Sequence, residues 1–184
     1  MTVSTAIRPA PDEYLSYFDR YIALVPESEA IPALEHQAEI MFALLRGMDE
    51  AQGALRYAPG KWSIKQVLGH LADAERVFAY RALRFGRGDT APLAGFDEND
   101  YAAIGQFDQQ SLGDLVDQLD VVRKSTIALL RGFDAEAWTR RGEANGHAVS
   151  VRALAFIIAG HGYHHTGILK ERYLNAGAVG APRP

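Results

Sequence analysis

The 184-residue chain has no cysteine, which removes disulfides, thiolate metal sites, iron-sulfur clusters and cysteine nucleophiles together. That leaves histidine, carboxylate and water chemistry. A surplus of one charge is also lacking: 19 Lys and Arg stand against 23 Asp and Glu, for a net charge of -4. No basic block exceeds the pair Arg140 and Arg141, so the electrostatic footprint of a nucleic-acid binder is missing. No run approaches the about 18 apolar residues of a membrane span. The opening MTVSTAIRPAPDEY lacks the basic-then-apolar order of a signal peptide. The expectation is a soluble, cytoplasmic protein with neither nucleic acid nor membrane as partner. Strand signals are sparse, with few alternating β-branched runs and no Asn-Gly or Asp-Gly turn flanked by them.

Helical periodicity fills most of the chain. Residues 1–29 read as a Pro-containing lead with one short helix in EYLSYFDRYIALV, ending before Pro26. Residues 30–176 read as a single helical domain and 177–184 as a flexible tail. Its first long helix, IPALEHQAEIMFALLRGM, tolerates Pro32 near its first turn and lines up Leu34, Ala38, Met41, Leu45 and Met48. The second starts at the N-cap Ser63, runs to about Arg87, and carries Ile64, Val67, Leu71, Ala74, Phe78 and Phe85 on one stripe. After an irregular stretch from Gly88 to Gln110, with a short helical run near Asp97 to Ile104, a third helix extends from Ser111 to about Arg131. A polar connector with one helical turn at Asp134 to Trp138 leads to the last helix. That helix starts after Ser150 and runs to about Asn175, with Gly177 in its C-cap region. Four amphipathic helices with one long crossover connection make an all-α four-helix bundle the economical fold.

In the last helix, Leu154, Ile157, Ile158, His161, His165, Ile168 and Leu169 form one continuous stripe. His161 and His165 therefore face the bundle interior, one turn apart, the spacing at which two imidazoles aim ring nitrogens at one cation. The alternative is a pair of buried histidines satisfied by hydrogen bonds. His164 sits at the edge of the stripe and is the weaker ligand. A catalytic site of this kind takes a third protein ligand and keeps one position open. His70, the one histidine of the Ser63 helix, lies beside that helix's inner stripe. Asp73 follows His70 by one turn, placed either as a supporting partner or base for bound water or as a solvated charge. Glu75 points elsewhere, toward an exposed or inter-helix ion pair. His36 lies on a polar shoulder, and His147 belongs to a connector at a possible pocket mouth. Trp62, one residue before the N-cap, is expected to staple the helix start to the core.

GKWSIKQVLGHLADAERVFAYRAL, followed much later by VSVRALAFIIAGHGYHHTGILKERY, resembles the DinB-like superfamily of bacterial four-helix-bundle proteins over roughly residues 30 to 175. The shared pattern is a tryptophan, a helix-borne H-L-x-D-x-E and a late H-x-x-H-H. The resemblance implies a divalent-metal site, with nickel or zinc as the usual occupant, at the positions of His70, His161 and His165. It also implies thiol S-transfer or hydrolysis of a small-molecule substrate, a low-molecular-weight thiol among the reactants, and a homodimer. A noncatalytic metal- or ligand-binding stress-response bundle is the alternative.

Overall fold

The computed structural model describes residues 7–174. The expected C-terminal tail and Gly177 lie outside the described residues. Four long helices dominate: α2 (Ala30–Leu45), α4 (Ile64–Gly86), α6 (Leu112–Arg131) and α8 (Val151–Ile168). Short helices α1 (Asp19–Ile22), α3 (Glu50–Gly53), α5 (Glu98–Ile104) and α7 (Ala135–Thr139) sit in the lead and connections. The long helices pack in the cyclic order α2, α8, α4, α6, so successive long helices across the α3 and α7 connections are diagonal partners. The fold is a helical bundle, as the periodicity predicts. No described helix is long and apolar enough to cross a membrane.

The helix starts are capped, at Ser63 as predicted. Ser63 accepts from the Gln66 amide at 3.0 Å while the Gln66 side chain accepts from the Ser63 amide at 3.0 Å, a complete capping box. Ser111 and Ser150 cap α6 and α8 through their side chains alone, accepting from the amides of Asp114 and Ala153. The predicted stripe of α4 is buried from Ile64 to Phe85. Helix α8 is buried on nearly every side from Val151 to Gly162, because α1 covers the face that α2 and α4 leave open.

Three sequence expectations need correction. First, the connector after α7 is a β-hairpin, β1 (Arg141–Ala144) and β2 (His147–Ser150). Asn145 and Gly146 both take positive φ, 53° and 75°, the primed turn that suits a two-residue hairpin loop. Its strands are too short, and β1 too poor in β-branched residues, for alternation to show. Second, the lead forms two 3₁₀ turns and only one α-helical turn, since so short a segment gains its order from packing on α8 rather than from helix propagation. Third, the last helix has about its expected extent but not one hydrogen-bond pattern: from Leu169 to Leu174 it continues as a π-helical segment.

The Gly88 to Gln110 crossover is anchored rather than free. The Leu93 amide donates to the Glu143 carbonyl and the Leu93 carbonyl accepts from the Asn145 amide, both at 2.9 Å. It thereby adds a third strand-like edge to the hairpin and brings Phe96 and Glu98 to the same end of the bundle.

Candidate metal centre

His70 from α4 and His161 and His165 from α8 meet inside the bundle. His161 Nε2 lies 3.0 Å from His70 Nε2 and 3.0 Å from His165 Nε2, and ligand atoms of all three fall within 4.8 Å of one another. His70 and His161 are 5% and 8% exposed. Helix geometry makes this arrangement: one turn separates His161 from His165, and α4 is the direct neighbour of α8.

Hydrogen bonds alone do not satisfy this cluster. The in-plane position of Nε2 holds either one proton or one lone pair, yet His161 Nε2 faces two other nitrogens at bonding distance. A single cation accepts all three lone pairs. Nitrogens about 2.0 to 2.1 Å from a shared zinc-like ion stand roughly 3 Å apart, as the two 3.0 Å separations do. The protonation state agrees. Burial, with a smaller contribution from His164, pushes His70 down to about 4. Burial and the neighbouring imidazoles hold His161 and His165 well below the ordinary histidine value. Neutral imidazole is the form that ligates.

The rings are oriented by aromatic packing. Trp62 lies against His70 with ring centroids 4.8 Å apart, and the edges of Tyr21 and Phe78 approach His161 at 5.3 and 6.5 Å. Trp62 is itself fixed from behind: the Tyr173 hydroxyl of the π-helical segment donates to its carbonyl at 2.7 Å. The staple reading of Trp62 thus extends to a second task, holding a ring of the cluster. His165 Nδ1 is buried without a hydrogen-bond partner among the described residues, so no carboxylate steadies that ring.

The other candidates lie elsewhere. His164 stacks edge-on against Tyr21 at 5.2 Å and is not in the cluster. Asp73 accepts from Arg76 Nη1 at 3.1 Å, and Arg76 also donates to Gln118 at 3.1 Å. The carboxylate is therefore engaged on the flank of α4 and does not line the cavity described below. His36 pairs with Glu27 at 2.5 Å. His147 does border the cavity, from the hairpin.

A cavity of about 340 Å³ opens beside the cluster, within the range of small-molecule sites. His70 and His161 form part of its wall, with Ala74 and Phe78 from α4 and Leu154 and Ile157 from α8. Tyr17, Phe18 and Tyr21 of the lead, and Ala144 to Val149 around the hairpin, close the other sides. Two glycines let α8 approach its neighbours closely, the lead at Gly160 and α2 at Gly162. A Cβ on Gly160 would overlap the Tyr21 carbonyl, and one on Gly162 would overlap the Gln37 side chain.

The neutral histidines predict an acid sensitivity. Between about pH 6.5, where unfolded histidine titrates, and about 4, where folded His70 does, the unfolded chain binds more protons. Stability therefore falls as pH falls. At pH 5 His70 alone costs the metal-free protein roughly 2 kcal/mol. Urea unfolding of chelator-treated protein at pH 7.5 and 5 measures this, and equal midpoints would mean that the rings are protonated or solvated in the fold.

The sequence model of the DinB superfamily matches residues 33–169. Among solved structures the chain is similar to YfiT from Bacillus subtilis, described as "a probable metal-dependent hydrolase with an unusual four-helix bundle topology". The identity is 18% and the TM-score 0.72, and the alignment covers 96% of this chain and 99% of that one. At that identity the likeness speaks to the fold. No curated protein matches the chain.

Proposed function

The chain belongs to the DinB superfamily, and on that premise we propose that it is an enzyme acting on a small molecule through a divalent metal held by His70, His161 and His165. The observation that carries this reading is the convergence of three neutral imidazole nitrogens beside an apolar cavity, with His70 and His161 in its wall. Nickel and zinc suit an all-nitrogen donor set. A divalent ion bound there supplies Lewis-acid chemistry, making water or a thiol acidic enough to ionise near neutral pH.

The chain's own residues favour thiol transfer over hydrolysis. Hydrolysis of an amide or ester needs a group that moves protons between water and the leaving group. Among the described cavity residues outside the cluster, the candidates for that task are the exposed Glu98 on the crossover and the exposed His147 on the hairpin, and neither is buried beside the histidines. A thiolate needs no such relay to attack an electrophile. With no cysteine in the protein, the sulfur must arrive on a low-molecular-weight thiol. Trp62, Tyr21 and Phe78 hold the ligand rings, and the aromatic lead excludes water from the reacting end.

The test compares metal-loaded and chelator-treated protein for consumption of an electrophile with bacillithiol, mycothiol or glutathione, beside ester and amide substrates. Metal-dependent thiol consumption is expected. Ester or amide turnover without it would move the assignment to hydrolysis. No turnover by protein that binds metal would leave a noncatalytic binding bundle.

A further inference from the structure

The cavity carries a cation that metal ligation does not use. Arg81 lies on the same face of α4 as His70, Ala74 and Phe78, and all four line the cavity. It is 7% exposed and forms no ion pair with any described carboxylate. Its single hydrogen bond among the described residues runs from Nη2 to the Ala94 carbonyl at 3.0 Å. Nε and Nη1 have no hydrogen-bond partner among the described residues, and the Arg81 side chain lines the cavity. Burial lowers the Arg81 pKa from its ordinary value, but a guanidinium remains charged in proteins. A buried cation without a counter-charge is costly, and among the described residues this fold leaves one unpaired against the wall of a pocket. Phe78 props it up, with the guanidinium carbon 5.7 Å from the ring centroid.

We infer that Arg81 is the binding site for the anionic end of the substrate, an organic carboxylate with an apolar, aromatic-sized body. The Phe78 ring stands 5.7 Å from the guanidinium and 6.5 Å from the His161 ring, so cation and imidazole are at most about 12 Å apart. One molecule with a ring and a short linker spans that gap, its carboxylate on Arg81 and its other end at the histidines. Leu154, Ile157 and Phe78 receive its body. Arginine suits this task because its fork offers paired donors to a carboxylate. The inference rests on the proposed function only for the statement that the reacting end lies at the histidines; the anion site stands on Arg81 itself.

Calorimetric titration with hydrocinnamate and its neutral amide, on metal-loaded and chelator-treated protein, separates the two ideas. Wild type is expected to bind the carboxylate about ten- to a hundredfold more tightly than the amide in both forms, as a charge-assisted contact does. Arg81→Gln should erase that preference while keeping the amide affinity and the metal stoichiometry, and Arg81→Lys should keep part of it. Equal affinities for the two probes in wild type overturn the inference, whatever the variants do. A preference that survives Arg81→Gln but disappears on chelation also overturns it, by placing the anion on the metal. Failure to bind metal, with the Arg81-dependent preference intact, would instead remove the proposed function and leave the anion site standing.

Discussion

Alanine at His70, His161 or His165 is expected to reduce bound divalent metal from about one per chain to an unmeasurable level at micromolar protein. His164→Ala should retain full occupancy. Three nitrogens around one point act as a unit, so removing one leaves a two-ligand site. Loss of a mere supporting partner already lowers affinity about 10- to 100-fold, and a lost ligand should exceed that. Thermal unfolding adds a second readout. Metal in about 1,000-fold excess over Kd stabilises the folded state by about 4 kcal/mol, so wild type should gain melting temperature on loading and the three variants should not. If the histidines were only core residues, alanine would destabilise metal-free and metal-treated protein alike and occupancy would not follow the cluster. Elemental analysis showing full occupancy in all three variants would sink the site.

The metal-free state offers a sharper discrimination. His165 buries an unpaired Nδ1, and a buried polar atom without a partner costs about 1 to 3 kcal/mol. His165→Leu should therefore make chelator-treated protein more stable, by about 1 kcal/mol, while destroying the site. A residue kept at a cost to the metal-free fold is being kept for what it binds.

Parts of this site are readable in the sequence and parts are not, for physical reasons. His161 and His165 announce themselves because a 3.6-residue period fixes which side chains share a face. His70 follows because only that histidine lies on the second long helix. The cap Ser63 and the helix starts at Ser111 and Ser150 are local chemistry, and the structure has all three. What stays hidden depends on contacts far apart in the chain. Trp62 reaches His70 across one helix start, and is held there by Tyr173, 111 residues away. Arg81 looks like one more charge on a helix until the crossover and hairpin enclose it. The hairpin had a visible cue in Asn145 and Gly146, but its four-residue strands carried no period to support it.

The second large effect concerns the interior beside the site. Arg123→Met is expected to destabilise the protein by about 3 to 5 kcal/mol, a large part of the 5 to 15 kcal/mol that holds a typical domain together. Arg123 and Glu75 are 3% and 4% exposed, and Arg123 Nε and Nη2 bind the Glu75 carboxylate at 2.9 to 3.1 Å. Its Nη1 donates to the Leu34 carbonyl at 2.9 Å and to Gln37 Oε1 at 2.6 Å, and Gln37 in turn donates to Thr166 at 3.4 Å. One guanidinium thus links all four long helices: Glu75 from α4, Arg123 from α6, Leu34 and Gln37 from α2, and Thr166 from α8. Methionine leaves the Glu75 carboxylate buried without a counter-charge, and the desolvation cost appears in full. Replacing both partners removes that cost, so Arg123→Met with Glu75→Leu should recover most of the stability, or exceed wild type by about 1 to 4 kcal/mol. Urea unfolding of metal-free protein measures both, and a single variant within about 1 kcal/mol of wild type would mean that the pair is open to water. Stability is not the whole role of this link. Glu75 and His70 share α4, Thr166 sits beside His165 on α8, and Glu75, Arg123 and His161 border a common space of about 10 Å³. The network therefore sets the register in which α4 brings His70 to the α8 histidines. A stable double variant with metal affinity reduced about tenfold would show ion-pair specificity at work, an apolar replacement keeping the fold while loosening the site.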